Sequence, residues 1–242
     1  MLNFVKELIR LNKFISNSGL CSRREADMYI SMGEVRVNDK IINQLGYKIR
    51  SGDKVYFNGQ EITGQKNIHI ILNKPKGYLS TTKESNQNRL CTDLISIKNT
   101  NKLKTLFSLG RPNLGLVFLS NDLQLIEKLR KKSSKIKIIY QVNLNKEISS
   151  IDMNNMKKYI LGKISKKIML RKIDYVVNKP KNIIGIETSL IQGNYILNFF
   201  KKFNYSVIKY DVVSILNFNK KKLERGKWRI LTKKEISFLK MF

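Results

Sequence analysis

The sequence predicts an α+β protein with a small domain first and a larger one behind it, and three observations carry that prediction. The chain has 242 residues, more than one ordinary small domain needs. Hydrophobic residues make up 42% and charged residues 27%, which supplies enough apolar surface for a packed core and argues against a mainly disordered chain. Short alternating apolar runs with turn signals stand beside stretches whose apolar residues recur at helical spacing, so strands and helices share the chain.

The small domain reads element by element. Leu11, Phe14, Ile15 and Ser18 recur at helical spacing, and Gly19 stands where a helix needs a left-handed terminating residue. Ser22 then precedes Arg23, Arg24 and Glu25. Its hydroxyl can accept from the Glu25 amide while the Glu25 carboxylate returns to the Ser22 amide, a capping box that opens a second helix from about Arg23 to Met32, ended by Gly33. Val35 and Val37 alternate with Glu34, Arg36 and Asn38 as in a strand. Lys54-Val55-Tyr56-Phe57 leads into Asn58-Gly59, the strongest short hairpin signal, and then Gln60-Glu61-Ile62. Two helices thus feed a small twisted sheet within residues 1–63.

Leu11-Asn12-Lys13, Ser22-Arg23-Arg24-Glu25-Ala26-Asp27, Gly33-x-Val35-x-Val37-Asn38 and Gly52-Asp53-x-Val55 together resemble the αL-type RNA-binding module first described in a ribosomal small-subunit protein. The resemblance implies that the second helix and the following strand turn face RNA, with Lys13, Arg23, Arg24, Arg36 and Lys40 near phosphates. Read alone, Arg23 and Arg24 could be solvated first-turn residues. Cations at a helix N-terminus oppose its dipole and gain nothing locally, which favours an RNA contact.

Residues 64–67, Gly64-Gln65-Lys66-Asn67, read as a polar linker, and residues 68–242 as the second domain. It opens on a buried-type strand, His69 to Asn73, stopped by Lys74-Pro75-Lys76-Gly77. His69 is the single histidine; flanked by β-branched residues and without a nearby carboxylate or thiol, it reads as a strand residue and not as a base. Ser120, Asn121 and Asp122 form a capping turn before a helix through Leu123, Ile126 and Leu129. With only Cys21, Cys91 and His69 as soft ligands, no zinc, haem or iron–sulfur site is expected. Glu7, Arg10 and Lys13 interrupt the first apolar stretch, and no 18 apolar residues run together. The expectation is a soluble, cytoplasmic protein without signal or membrane span.

Charge points to a partner. The chain carries 47 Lys and Arg against 18 Asp and Glu, a net +29, and the commonest matching polyanion is nucleic acid, with anionic membrane a distant second. Of the 47 cations 36 are Lys, which AT-rich coding also favours, so charge is supporting evidence only. It is unevenly placed: residues 1–63 hold ten cations and seven anions, residues 64–242 hold 37 and 11, so the larger domain must meet the polyanion too. Arg130-Lys131-Lys132, with Lys135 and Lys137, is the cluster best placed for phosphates; Lys220-Lys221-Lys222 is a second run.

Leu72-Asn73-Lys74-Pro75-x-Gly77, Gly110-Arg111, Gly115 to Asp122, Tyr140-Gln141-Val142 and Arg225-Gly226-Lys227-Trp228-Arg229-x-Leu231-Thr232 occur in one order behind the αL module. In that order they resemble the RsuA/RluB-type rRNA pseudouridine synthases. The resemblance implies a mixed, mostly antiparallel sheet with flanking helices, ribosomal RNA as partner, a monomer, and no cofactor or metal. It implies an enzyme that breaks uracil from C1′, turns it and rejoins it through C5. That reaction needs a carboxylate beside a flipped uridine, as nucleophile or base, and a cation that keeps it ionised.

Two departures stand out. The family segment Gly-Arg-Leu-Asp-x-x-Thr/Ser-x-Gly-Leu-Leu is shortened here to Gly110-Arg111-Pro112-Asn113-Leu114-Gly115, so the Asp position reads Asn113. An amide can hold uracil by hydrogen bonds but cannot attack or take a proton at neutral pH. Arg111 remains, and Tyr140 matches the family's active-site tyrosine, with a core aromatic as the alternative reading. The arginines that the family carries before an apolar helix are missing from Asn194-Tyr195-Ile196-Leu197-Asn198-Phe199-Phe200. The expectation is therefore a pseudouridine synthase, with a catalytically impaired rRNA-binding or ribosome-assembly homologue as the alternative. Asp122, Asp93 and Asp211 are the replacement carboxylates to consider, none of them singled out by spacing.

Overall fold

A computed structural model describes residues 8–50, 52–63, 67–80, 89–97, 103–162, 170–189 and 194–242. The chain divides into two compact units, Met1–Lys66 and Asn67–Phe242. The start of the chain through Glu7 and linker residues 64–66 lie outside the described residues.

The first unit runs β1 (Ile9–Arg10), α1 (Leu11–Ser18), α2 (Arg23–Ser31), β2 (Val35–Val37), β3 (Lys40–Ile41), β4 (Lys48–Ile49), β5 (Val55–Phe57) and β6 (Gln60–Ile62). Gly19 ends α1 at φ 87°, its N–H donating to Ser16 O, a conformation that a side chain would strain. The capping box of α2 forms: Ser22 N donates to Glu25 Oε2 at 2.7 Å and Glu25 N to Ser22 Oγ at 3.3 Å. The helix stops one residue short of the sequence reading, with Met32 as its C-cap. Sheet order is β3-β2-β5-β6, and Asn58 and Gly59, both at positive φ, make the tight turn that pairs Phe57 with Gln60. Leu11, Ile15, Ala26, Ile30, Val35, Val37 and Val55 form the core.

The second unit continues with β7 (His69–Lys74), β8 (Lys104–Thr105), β9 (Leu114–Ser120), α3 (Leu123–Lys131), β10 (Lys137–Leu144), α4 (Ser150–Leu161), β11 (Leu170–Tyr175), β12 (Ile183–Ser189), α5 (Asn194–Lys202), β13 (Val207–Ile215), β14 (Phe218–Asn219), β15 (Trp228–Ile230) and α6 (Lys233–Met241). One sheet runs β11-β12-β10-β13-β9-β7-β15, with β14 beside β13 and β8 beside β9. Among the described residues its pairs are antiparallel apart from β9 with β13, which run parallel and touch at Asp211–Leu114 and Val212–Gly115. Two antiparallel halves therefore meet along a short seam. His69 is buried against Ser120 Oγ at 2.8 Å from its Nδ1, and desolvation lowers its pKa, as suits a strand residue. Among the described residues no helix is long and apolar enough to cross a membrane.

Candidate active site and nucleic-acid interface

The shortened segment folds as a tight turn, with Asn113 N donating to Gly110 O at 3.2 Å, and Gly77 N donates to Arg111 O at 2.9 Å. The sequence puts a lysine at the end of β7, and the fold buries it completely. Its Nζ donates to Pro75 O at 3.1 Å, Tyr78 O at 2.7 Å and Asn113 O at 2.7 Å. Three carbonyl partners are what a desolvated ammonium requires; desolvation still pulls Lys74 down to about 8. Lys74 thus ties the Lys74–Tyr78 turn to the 110–114 turn.

The neighbouring Asn73 joins a third motif. Its Oδ1 accepts from Arg225 Nη1 at 2.8 Å and its Nδ2 donates to Leu223 O at 2.8 Å. Gly226 N donates to Asn73 O at 2.8 Å, and Asn73 N to Lys227 O at 3.0 Å. The motifs around Asn73, Asn113 and Arg225 are far apart in sequence and meet at the parallel seam.

Asn113 Oδ1 accepts from Tyr210 N at 3.2 Å, extending the β9–β13 pairing where the backbone partner runs out. One residue on, Asp211 faces the seam. Lys220 Nζ and Arg225 Nη2 both donate to its Oδ2, at 2.6 Å and 2.8 Å. Its Oδ1 is, among the described residues, the one buried side-chain polar atom without a hydrogen-bond partner. Gly115 makes the approach possible: a Cβ there would lie 2.3 Å from Val212 N and O and 2.5 Å from Asp211 Oδ1, at a φ of +109°.

Tyr140 is buried in the core, as its alternative reading allows. It is 3% exposed, edge-on to Tyr210 with ring centroids 5.5 Å apart, and paired with Val212 while Gln141 pairs with Asp211. Successive strand residues point to opposite faces, so Tyr140 lies on the core face of the sheet and Asp211 on the other. Burial pushes the Tyr140 hydroxyl well above the ordinary tyrosine value. Arg111 is exposed on its turn.

Of the expected phosphate contacts, Arg23 and Arg24 are exposed on the first turn of α2, and Lys40 is exposed on β3. Arg36 lies over the Tyr56 ring at 4.3 Å, a cation–π contact that holds the guanidinium across the strand. Lys13 is half-buried on α1. Arg130 departs from the expectation: its Nε and Nη2 donate to Leu106 O at 3.1 Å and Thr105 O at 2.6 Å, carbonyls at and just past the end of β8. Lys131 and Lys132 remain exposed beside it. Sequence reading missed the joint placement of Asp211, Lys220 and Arg225; their spacing follows no helical or strand period, and no local signal could have found it.

Residues 9–55 match the S4 domain family and residues 68–174 the family described as RNA pseudouridylate synthase. The chain is 33% identical to the dual-specificity RNA pseudouridine synthase RluF of Escherichia coli (strain K12), over 94% of this chain and 77% of that protein. It is 25% identical to the ribosomal large subunit pseudouridine synthase B of Bacillus subtilis (strain 168), over 96% and 95%. A crystal structure of a pseudouridylate synthase superposes with a TM-score of 0.58 at 23% identity, covering 96% of this chain and 99% of that one, a likeness of fold.

Proposed function

Because the chain belongs to the family of RNA pseudouridine synthases that carry an amino-terminal S4 domain, we propose that it converts uridine to pseudouridine in ribosomal RNA. The observation that carries the reading is the likeness over 94% of the chain to a named synthase, in which binding module and synthase domain keep one order. The same likeness gives no support to the alternative of an impaired homologue that only holds RNA.

In this reading Arg23, Arg24, Arg36, Lys40 and Lys13 meet phosphates on the S4 side, and Lys131, Lys132 and Arg111 meet them on the synthase side. The exposure of Arg23, Arg24, Lys40, Lys131, Lys132 and Arg111 suits that role, since phosphate contacts position a substrate without reading its sequence. Isomerisation of uridine moves no electrons to an acceptor. It therefore calls for neither cofactor nor metal, only for a charged carboxylate and donors around a base taken out of its stack. The reading places a monomeric enzyme in the cytoplasm, where its ribosomal RNA substrate would be.

The test is pseudouridine mapping on unmodified ribosomal RNA incubated with the purified protein, beside a binding assay on the same RNA. New pseudouridine at a defined position is the expected result. Tight binding without any isomerisation would overturn the reading.

A further inference from the structure

We propose that the turn joining β11 to β12, residues 176–182, is an RNA-docking element that holds the strand flanking the target: Lys179 and Lys181 take phosphates and Val177 packs on a ribose or an unstacked base. The proposal rests on the ribosomal RNA reading for its ligand and adds to it a contact point that no motif marks.

The turn is rigid before any ligand arrives. Lys179 N donates to Val176 O at 3.2 Å and Ile183 N to Pro180 O at 2.9 Å, so two tight turns follow one another, with Asn178 at φ 58°. Its base is tied to the chain after β10, where Leu144 N donates to Asn182 O at 2.9 Å and Ile148 N to Lys181 O at 3.3 Å. A preordered element loses little freedom when it binds.

What the turn displays does not serve the fold. Val177 is 83% exposed, the highest value of any large hydrophobic side chain among the described residues. A lone exposed aliphatic group is ordinary on a surface, but this one is β-branched and stands at a turn corner that proline or a polar residue usually fills. Lys179 and Lys181 are exposed beside it, and no acidic residue occurs between Asp174 and Glu187. Those two carboxylates are engaged, Asp174 by Lys157 at 3.2 Å and Glu187 by Lys137 at 2.7 Å. Exposed cations around an apolar tip suit a strand that offers phosphates and unstacked bases together.

Register places the turn at the end of the sheet where the shortened turn lies. Ile183, the first residue of β12, pairs with Asn143, and Asn143 with Lys209. Lys209 is exposed, and two residues further along β13 Asp211 pairs with Leu114. Three strand spacings, about 15 Å, therefore separate the two turns, with Lys209 between them. At a rise of about 3.4 Å per nucleotide, roughly four nucleotides of one RNA strand cover that distance.

The experiment measures binding of unmodified ribosomal RNA to the full chain across a salt series, with pseudouridine mapping and thermal unfolding on the same samples. Lys179→Ala with Lys181→Ala is compared with Lys233→Ala and Lys234→Ala, an equal loss of charge from exposed positions on α6, which follows the opposite end of β15. The turn pair is expected to weaken binding about tenfold and to reduce the salt slope by about 1.4; the α6 pair is expected to stay within twofold of wild type. Val177→Ser is expected to weaken binding about threefold with the salt slope unchanged. Equal losses in the two lysine pairs, or a turn pair within twofold of wild type, overturn the docking element and leave the synthase reading intact. Wild-type affinity in Val177→Ser overturns the apolar contact. A selective loss in the turn pair without pseudouridine from the wild type supports the docking element and overturns the synthase reading. Absence of RNA binding by the wild type overturns both.

Discussion

The S4 unit and the seam of the synthase unit are built on opposite principles. In the first unit the ordering contacts are short in sequence: Ser22 with Glu25, three residues apart, and Asn38 with Asp53, fifteen apart. At the seam Asn113 meets Tyr210 across 97 positions and Asn73 meets Arg225 across 152. The difference teaches that a binding surface can be assembled from local signals, whereas a buried cluster of charges draws its partners from several strands, because a desolvated charge needs an opposite charge or hydrogen bonds nearby.

The sharpest way to break the seam is Gly115→Ala. The added Cβ would overlap Val212 N and O at 2.3 Å, and the backbone sits at φ +109°. An expected loss of about 3 kcal/mol or more would appear in chemical denaturation of the full chain. The equivalent change in the S4 unit, at Gly59, meets open space and is expected to show only the smaller strain of its positive φ. Equal losses at the two glycines would erase the contrast.

Lys74→Met is expected next, at about 2 kcal/mol, because three carbonyls lose their donor together. This site also has a pH signature. The folded value of about 8 lies below the ordinary 10.5, so between them the unfolded chain binds the proton that the folded one has released, and stability rises with pH across that window. Denaturation midpoints from pH 7.5 to 10.5 should show that rise in the wild type and a flatter profile in Lys74→Met. A rise of the same size in both proteins would assign it to another group.

In the S4 unit the largest effect is expected on binding rather than folding. Arg23→Ala with Arg24→Ala should weaken RNA affinity about tenfold, reduce the salt slope of binding by about one to two, and leave the melting temperature nearly unchanged, since both side chains are exposed. Unchanged affinity would remove this module from the interface. The smallest effect is expected from Ser22→Ala, about 1 kcal/mol, confined to the start of α2. A loss as large as that at Gly115 would show that the S4 unit depends on one cap and is less robust than its local contacts suggest.

Much of this was legible in the residues themselves. The capping box at Ser22, the Asn58-Gly59 turn, the left-handed Gly19 and the α3 cap at Asp122 each report a hydrogen bond or a φ value that a few neighbouring residues decide. The motif order around Asn73, Arg111 and Arg225 marked segments that the fold brings together. Tyr140 and Arg130 were harder: a strand aromatic looks alike whether it faces core or cleft, and a helical arginine looks alike whether it meets solvent or a carbonyl. Which face of β10 is buried depends on its pairing with β13, and that pairing includes a register shift between Ile139 and Tyr140.

By itself, then, the sequence determined the class of the protein, the order of its modules and most of the small unit, because local propensity, capping and turn chemistry act within a few residues. Only the tertiary structure decided which charges are buried and paired at the seam. Lys74 is buried, Asn113 serves the sheet, and Asp211 stands between Lys220 and Arg225, since sheet pairing brings strands together regardless of their distance along the chain, and burial decides which carboxylates stay dry.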